Sequence, residues 1–304
     1  MNEIFQKART YLYRHARPLE LARFQYHFEG GSRENVLNVL QCYQNPDGGF
    51  GHAIEADCWN PNSIPLHSAG AAAIMAEVGL EDQDHPMAQA LAGWFASGAH
   101  FNGKSWAITV ESSNAHPHAP WWHTESESSC HTDYNGTAQI AGFLIRYAKP
   151  DTAAFRLGTR VAAEAIAALD PAALNDKHTC ACYVQMAEMI RRAGMTHLFA
   201  CDELTEKLHS AVHSLIETDV SKWHGYVCRP SEFLRSRQSE YYAENRAMAE
   251  YECDFIAQTQ LPDGSWPIPW SWADYPEEWA VSKMWWKGVV ILQNLLYLKG
   301  FDRI

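Results

Sequence analysis

The sequence predicts an all-α protein, an α/α toroid in which about five to six helical pairs close into a barrel. Three observations lead to this fold class. Many segments place apolar residues at helical spacing, and no segment alternates apolar and polar residues as a half-buried strand does. In addition, one short motif occurs twice, once near each end of the chain. Repeated helical pairs that close on themselves explain both the length of 304 residues and the late repeat of an early motif.

The first helices have recognisable ends. Ser32 can cap a helix that carries Val36 and Leu40 on its apolar side. The run SAGAAAIMAEVG ends at Gly79, which suits a helix C-cap. Pro86 is a favourable first residue for the next helix. These segments therefore predict successive helices in the first third of the chain.

The remaining helices follow in the same way. Lys149-Pro150-Asp151 separates two helices with the sequences NGTAQIAGFLIRYA and TAAFRLGTRVAAEAIAAL. Asp170-Pro171 is predicted to open the next helix, which ends at Gly194, and Asp202 to cap another. The last two helices are predicted over about 239–258 and 281–298.

Three long loops interrupt the helices, at 48–63, 98–132 and 261–280. Long irregular loops in a compact domain are usually functional. No Gly/Ser-rich or charged linker divides the chain, so we expect one domain over residues 1–304.

Composition narrows the possible partners. The formal net charge is −12 without basic clusters, which argues against nucleic acid and anionic membranes. No apolar run is long enough to predict a membrane span. The N-terminal MNEIFQKARTYLYRHARP lacks a signal-peptide pattern, so a cytoplasmic protein with buried thiols rather than disulfides is expected. The oligomeric state is left open.

The repeated motif reads QNPDGGFG at Gln44–Gly51 and QLPDGSW at Gln260–Trp266. The Pro-Asp pair is typical of a tight turn, and the following glycine allows a positive φ. We expect the glutamine to reach the open amides of a following helix and the aromatic residue to cover the join. The motif therefore predicts a structural turn rather than a catalytic loop.

Both copies fit the pattern Gln-x-x-x-Gly-x-aromatic, which resembles the QW-type repeat of squalene–hopene cyclases and related prenyltransferase-like proteins. Three longer stretches resemble bacterial proteins described as prenyltransferase-like or squalene-oxidase-repeat-like: NPDGGFGHAIEADCWNPNS, HAPWWHTE and LPDGSWPIPWSWADYPEEWAVSKMWW. The resemblance implies an α/α toroid of the terpenoid cyclase/protein prenyltransferase superfamily. In such a ring the first and last helical pairs would be neighbours.

The motifs that carry chemistry in those enzymes are incomplete in this chain. The nearest match to Asp-x-Asp-Asp is Asp82-Gln83-Asp84-His85, which lacks the final acid. An Asp-Asp-x-x-Asp motif is absent, and Asp57-Cys58 has the wrong spacing for the prenyltransferase zinc site. The resemblance thus implies the fold and not a reaction, and we predict no cofactor and no metal.

The candidate site is predicted where the long loops meet at one end of the barrel. Four acids there are candidates for acid–base work, in which one carboxyl donates a proton and another activates water or attacks: Glu55, Asp57, Glu125 and Glu277. Polar and aromatic side chains of the same loops are predicted to bind the ligand: His52, His118, Trp121, Trp122, His123, Asp133, Tyr134, Trp270, Trp272 and Trp279.

Several alternatives stay open. The ligand is predicted to be a small organic molecule or a glycan, and an enzyme is slightly favoured over a binding protein. A carbohydrate hydrolase or lyase competes with isoprenoid chemistry, and a non-catalytic scaffold is the third possibility. Glu55 and Asp57 can instead cap a helix or anchor their loop. His116-x-His118 is a feasible metal-ligand pair, although no zinc-binding frame surrounds it.

Overall fold

The computed structural model describes residues 2–131, 134–170 and 174–304. Within these ranges there are eleven α-helices and three isolated β-bridges but no strand, which confirms the all-α class. The helices are α1 (Asn2–His15), α2 (Pro18–Phe28), α3 (Arg33–Leu40), α4 (Pro65–Glu77), α5 (Pro86–Ala96), α6 (Thr137–Tyr147), α7 (Ala153–Ala167), α8 (Lys177–Arg192), α9 (Cys201–Leu215), α10 (Tyr242–Thr259) and α11 (Pro276–Gly300).

Most predicted helix ends are found where local chemistry places them. The Ser32 hydroxyl accepts the backbone N–H of Asn35 at 3.1 Å and so caps α3. Gly79 follows the end of α4 with φ +68°, as expected of a residue that terminates a helix.

Three helix starts differ from the prediction. Helix α8 begins at Lys177, because the Asp176 carboxylate accepts the Thr179 N–H at 2.8 Å. The predicted start at Asp170-Pro171 lies partly outside the described residues. Asp202 lies inside α9 and does not cap it. Helix α11 begins at Pro276, five residues before the predicted start, since proline at a first position and two acids in the first turn favour a helix there.

The chain divides into two compact units. The terminal unit comprises Met1–Val39 and Val212–Ile304, and the central unit comprises Leu40–Ala211. The boundaries fall within α3 and α9. The expectation of one domain over 1–304 stays a prediction.

The terminal unit joins the two ends of the sequence. Helices α1 and α2 both pack against α11. Their shared core consists of buried apolar side chains, including Leu12, Phe24, Ile256, Leu295 and Phe301. Burial of such side chains contributes roughly 1.5–3 kcal/mol each. The first and last helices of the chain are therefore packed neighbours.

The central unit is organised around α6, which packs against α7 and α8. Ten residues of α6 are buried, on all sides of the helix. A helix that is apolar all round is a core helix rather than a surface one.

Each unit contains one copy of the repeated motif, which we call a fastener turn (44–50 and 260–266). In the central unit, Gln44 Nε2 donates to Gly48 O at 3.0 Å and to Met87 O at 3.2 Å. Met87 is the second residue of α5. The glutamine thus ties its own turn to the start of a helix.

The second copy repeats these contacts in the terminal unit. Gln260 Nε2 donates to Gly264 O at 3.1 Å and to Ile4 O at 2.9 Å, in the first turn of α1. The prediction that the glutamines reach helix amides is wrong in one respect. Each side-chain amide is the donor, and a helix carbonyl is the acceptor.

The glycines of the two fastener turns lie against the backbones of α5 and α1, the helices that the glutamines contact. Gly48 has φ +99° and Gly264 has φ +92°. A Cβ atom on Gly48 would lie 2.3 Å from Ala90 O, and one on Gly264 would lie 2.3 Å from Lys7 O. Phe50 and Trp266 are buried beside these turns. Only glycine fits both the backbone conformation and the space.

All eight cysteines lie in the described residues, where none forms a disulfide and six are buried. Among the described helices, none combines the length and the apolar character that crossing a bilayer requires.

Candidate functional site

The first two long loops pair through their backbones in the central unit. Cys58 and His118 form an isolated antiparallel bridge. On either side of it, Trp59 N donates to Pro117 O at 2.9 Å, and Ala119 N donates to Asp57 O at 2.8 Å. We call residues 57–59 and 117–119 the loop junction. It holds the predicted site residues Asp57 and His118 close together.

A buried polar network supports this junction. Asn60, which is fully buried, donates to the hydroxyls of Ser112 at 2.9 Å and Ser113 at 3.2 Å. Its Oδ1 accepts the backbone N–H of Asn62 at 3.0 Å. Burial raises the pKa of Cys58 to about 11, so this cysteine stays a thiol near neutral pH. Asn60 was not among the predicted site residues, although an Asn-Pro-Asn run in a loop is typical of side chains that bond to backbone.

His52 holds the first loop in an unusual conformation. His52 and Ala53 have φ +56° and +58°, a region that costs non-glycine residues free energy. The His52 Nε2 atom lies 2.8 Å from Asn45 Oδ1, and the Asn45 amide also donates to Ser63 Oγ at 3.0 Å. His52 is exposed, and this contact fixes its ring at the loop surface.

The four predicted acids are found in different surroundings. Glu55 and Asp57 share one turn, where the Glu55 carboxylate accepts the Asp57 N–H at 3.3 Å. Asp57 is only 2% exposed, whereas the Glu125 side chain is 91% exposed. Glu277 is exposed in the first turn of α11, in the terminal unit. The structure therefore brings together the first two acids.

Two predicted histidines stack and form a hydrogen-bonded chain. The rings of His118 and His123 are 5.4 Å apart and nearly parallel, and His118 Nε2 lies 3.2 Å from His123 Nδ1. His118 Nδ1 lies 2.5 Å from His116 O. At the outer end, His123 Nε2 is 3.9 Å from Glu125 Oε1. We call His118, His123 and Glu125 the imidazole chain.

The hydrogen bonds set the proton positions in this chain. The carbonyl of His116 can only accept, so His118 carries its proton on Nδ1. Its Nε2 then accepts the Nδ1 proton of His123, which leaves His123 Nε2 as the basic atom. His118 is buried and His123 is exposed. The chain thus presents an oriented base at the protein surface.

The two neighbouring tryptophans have opposite environments. Trp121 is 49% exposed, and Trp122 is 7% exposed. The Trp122 ring meets His67 edge-on, with centroids 4.7 Å apart and an interplanar angle of 80°. The backbone carbonyl of Trp122 accepts the Thr109 hydroxyl at 2.7 Å, which holds the turn. His67 was not predicted, although it is the one ionisable ring in the alanine-rich sequence PLHSAGAAAIM.

Tyr134 belongs to the core of the central unit. Its ring packs edge-on against Tyr183 at 6.2 Å, and Lys104 Nζ lies 5.6 Å from its centroid. Asp133 lies outside the described residues.

The third loop forms aromatic clusters in the terminal unit. Trp270 packs edge-on against Trp286 at 4.9 Å and against Tyr226 at 5.8 Å. The buried Trp272 packs against Trp279 at 5.6 Å. That this loop converges with the first two loops stays a prediction.

Within the part of the chain that the structure describes, no group of three His, Cys, Asp or Glu side chains is arranged to hold a metal ion. His118 Nδ1 lies against His116 O, and His118 Nε2 lies against His123 Nδ1.

The site residues provide a loop junction held by backbone bonds, an oriented imidazole at the surface and a buried histidine–tryptophan pair. No family model, no curated protein and no solved structure matches the chain significantly.

Proposed function

We propose that this chain is a terpenoid cyclase/prenyltransferase-like α/α toroid protein that binds a small organic molecule or glycan at the loop junction and acts on it by acid–base chemistry. The observation that carries the proposal is the imidazole chain, in which buried His118 orients the exposed ring of His123. A base held by a second, hydrogen-bonded group is the usual arrangement for proton transfer in enzymes.

Three features support the toroid. The regular secondary structure of the described residues is helical, α1 and α2 pack against α11, and each unit has one fastener turn that ties a loop to a helix start. Closure of a ring would require the first and last helices to be neighbours, as they are here. The proposed barrel consists of about five to six helical pairs.

The proposed chemistry starts at His123. Its Nε2 atom would take a proton from the ligand, and the Glu125 carboxylate lies 3.9 Å from that atom. Glu55 and Asp57 are the candidate acids at the loop junction, and two carboxyl groups are what glycoside cleavage requires. A carbohydrate hydrolase or lyase is therefore the reaction class that we favour.

A screen for binding and consumption tests the proposal. The wild-type protein would be incubated with neutral oligosaccharides, polyols, isoprenoid alcohols and aromatic acids, with bound compounds detected by native mass spectrometry and products by liquid chromatography. At least one compound is expected to bind and to be consumed. His123→Asn should slow consumption by a factor of about 10²–10⁴, the usual contribution of general acid–base catalysis.

His178→Asn is the matched control, because His178 is an exposed histidine of the same unit in the first turn of α8. It should leave the rate unchanged. The proposal is wrong if no compound binds, or if His123→Asn consumes the bound compound at the wild-type rate.

A further inference from the structure

The buried contact between His67 and Trp122 leaves polar atoms without partners. His67 is 2% exposed and Trp122 is 7% exposed. Among the described residues, five buried side-chain atoms have no hydrogen-bond partner, and three of them belong to this ring pair: both imidazole nitrogens and the indole Nε1. An unsatisfied buried polar group destabilises the folded protein, so three such atoms in one ring pair need a reason.

The two rings are held in place from both sides. His67 is the third residue of α4, and the adjacent Ser68 hydroxyl accepts the Phe50 N–H at 2.8 Å. Trp122 ends the short 3-10 helix Pro120–Trp122. Its backbone N–H donates to Ala119 O at 2.9 Å. Their unpaired atoms are therefore fixed in position before any ligand arrives, which reduces the entropic cost of binding.

The charge state of His67 defines what can bind. Burial lowers its pKa to about 3, so the imidazole is neutral at physiological pH. A neutral imidazole has one N–H donor and one bare nitrogen acceptor, and the indole adds a second N–H donor. An anion would have to exchange its hydration for two neutral donors, which is unfavourable in a buried site.

The directions of these atoms require more than one ligand group. The two nitrogens of an imidazole point away from each other, so a single oxygen cannot bond to both. Hydroxyl groups suit the pair, because each has one donor and two acceptor positions. One hydroxyl can donate to the bare nitrogen while a second accepts from an N–H. An isoprenoid hydrocarbon offers none of these groups.

We propose that His67 and Trp122 form a buried binding position for an uncharged polyhydroxylated ligand, a sugar or polyol whose hydroxyl groups bond to the unpaired nitrogens of the two rings. This inference rests on the proposed function, because Trp122 directly precedes His123 and both would contact the same ligand. Both rings are buried, so the short helix Pro120–Trp122 must move for the ligand to enter.

The indole N–H of Trp122 is the direct reporter of this position. Its resonance in a ¹⁵N-edited NMR spectrum is assigned by its loss in Trp122→Phe. Glycerol and methyl β-D-glucoside serve as probes, with sodium acetate at equal concentration as the anionic comparison. Both polyols should shift the resonance in a saturable way, and acetate should not. If neither polyol shifts the resonance, the proposal is overturned, and the unpaired ring nitrogens bind only ordered water.

Two variants test the partner ring. His67→Phe should weaken the response to both polyols by about tenfold, the equivalent of one lost hydrogen bond of about 1.4 kcal/mol. His178→Phe, the same exchange at an exposed histidine in the first turn of α8, is the matched control and should keep wild-type affinity. If His67→Phe does not fold, the His67 ring nitrogens are observed instead in Trp122→Phe, where they must still shift with the polyols. An equal response in wild type and His67→Phe overturns the proposal.

The two proposals fail separately. If the panel yields a bound compound without hydroxyl groups whose turnover depends on His123, the proposed function holds and the polyol assignment is wrong. If polyols shift the Trp122 resonance but nothing is consumed, the binding position holds and the acid–base chemistry is wrong.

Discussion

At the scale of single residues, the glycine of a fastener turn combines two constraints that a chosen variant can separate. Gly48 has φ +99° and lies where a Cβ would meet Ala90 O at 2.3 Å. Gly79 also has a positive φ, +68°, but no atom lies within 4 Å of the position of its Cβ. An alanine at position 48 would therefore have both backbone strain and a clash, whereas an alanine at position 79 would have backbone strain alone.

We therefore expect Gly48→Ala to lower the free energy of unfolding by about 2–4 kcal/mol, from the left-handed conformation and the clash together. Gly79→Ala should lower it by about 1 kcal/mol. Urea unfolding monitored by circular dichroism measures both. Equal losses in the two variants would show that the close approach to α5 does not matter.

His67 makes a second prediction at this scale. The pKa of His67 is lowered by burial from 6.5 to about 3 in the folded protein. Between these values the unfolded chain binds a proton that the folded protein does not bind. The stability that comes from this group is therefore complete above pH 6.5 and falls as the pH drops toward 3.

The slope approaches about 1.4 kcal/mol per pH unit well below pH 6.5, and His67→Phe should lack this contribution. Urea unfolding of both proteins between pH 7 and pH 4.5 gives the difference in slope. His178→Asn, at the surface, should behave like wild type. Parallel wild-type and His67→Phe curves would mean that His67 is protonated in the folded protein.

At the scale of secondary-structure elements, the glutamines of the fastener turns connect a loop to a helix start. Gln260 Nε2 donates to both Gly264 O and Ile4 O. A substitution that removes the Gln260 side-chain amide would free the first turn of α1 from the turn at 260–266. The effect should thus be concentrated at one end of one helix.

Gln260→Ala should cost about 1–2 kcal/mol, the value of two neutral hydrogen bonds, and should speed amide hydrogen exchange in α1. Gln258→Ala is the matched control, because Gln258 is an exposed glutamine at the end of α10. It should change stability by less than about 0.5 kcal/mol. If α1 exchanges at the same rate in both variants, the side-chain tie is not what holds the helix.

Elements were predicted better than their ends. Periodicity and the caps at Ser32 and Gly79 located α3 and α4, because these signals lie within a few residues of the structure they produce. The start of α8 was predicted at the wrong residue, because Asp170 and Asp176 are both possible helix N-caps in the sequence. Only the hydrogen bond from Thr179 distinguishes Asp176.

At the scale of the whole molecule, the two fastener turns are distributed one to each compact unit. The terminal unit unites the first and last helices through a common core. Residues from both ends of the chain therefore contribute to one core.

The candidate site was predicted in part. Both loops of the junction were identified from their length and their content of acids, histidines and tryptophans. The pairing of Cys58 with His118, which brings these loops together, depends on backbone bonds between segments 60 residues apart. Such contacts leave no periodic signal, so the prediction could name the residues but not their partners.

The primary structure was sufficient for the all-α class, for most helices and for the form of the fastener turn. The bond from Gln44 to Gly48 O closes within five residues, so local chemistry specifies it. The choice of Met87 and Ile4 as the helix contacts, and the complete desolvation of His67, depend on packing between distant segments. Local hydrogen bonding can be read along the chain, whereas burial is a property of everything that surrounds a residue.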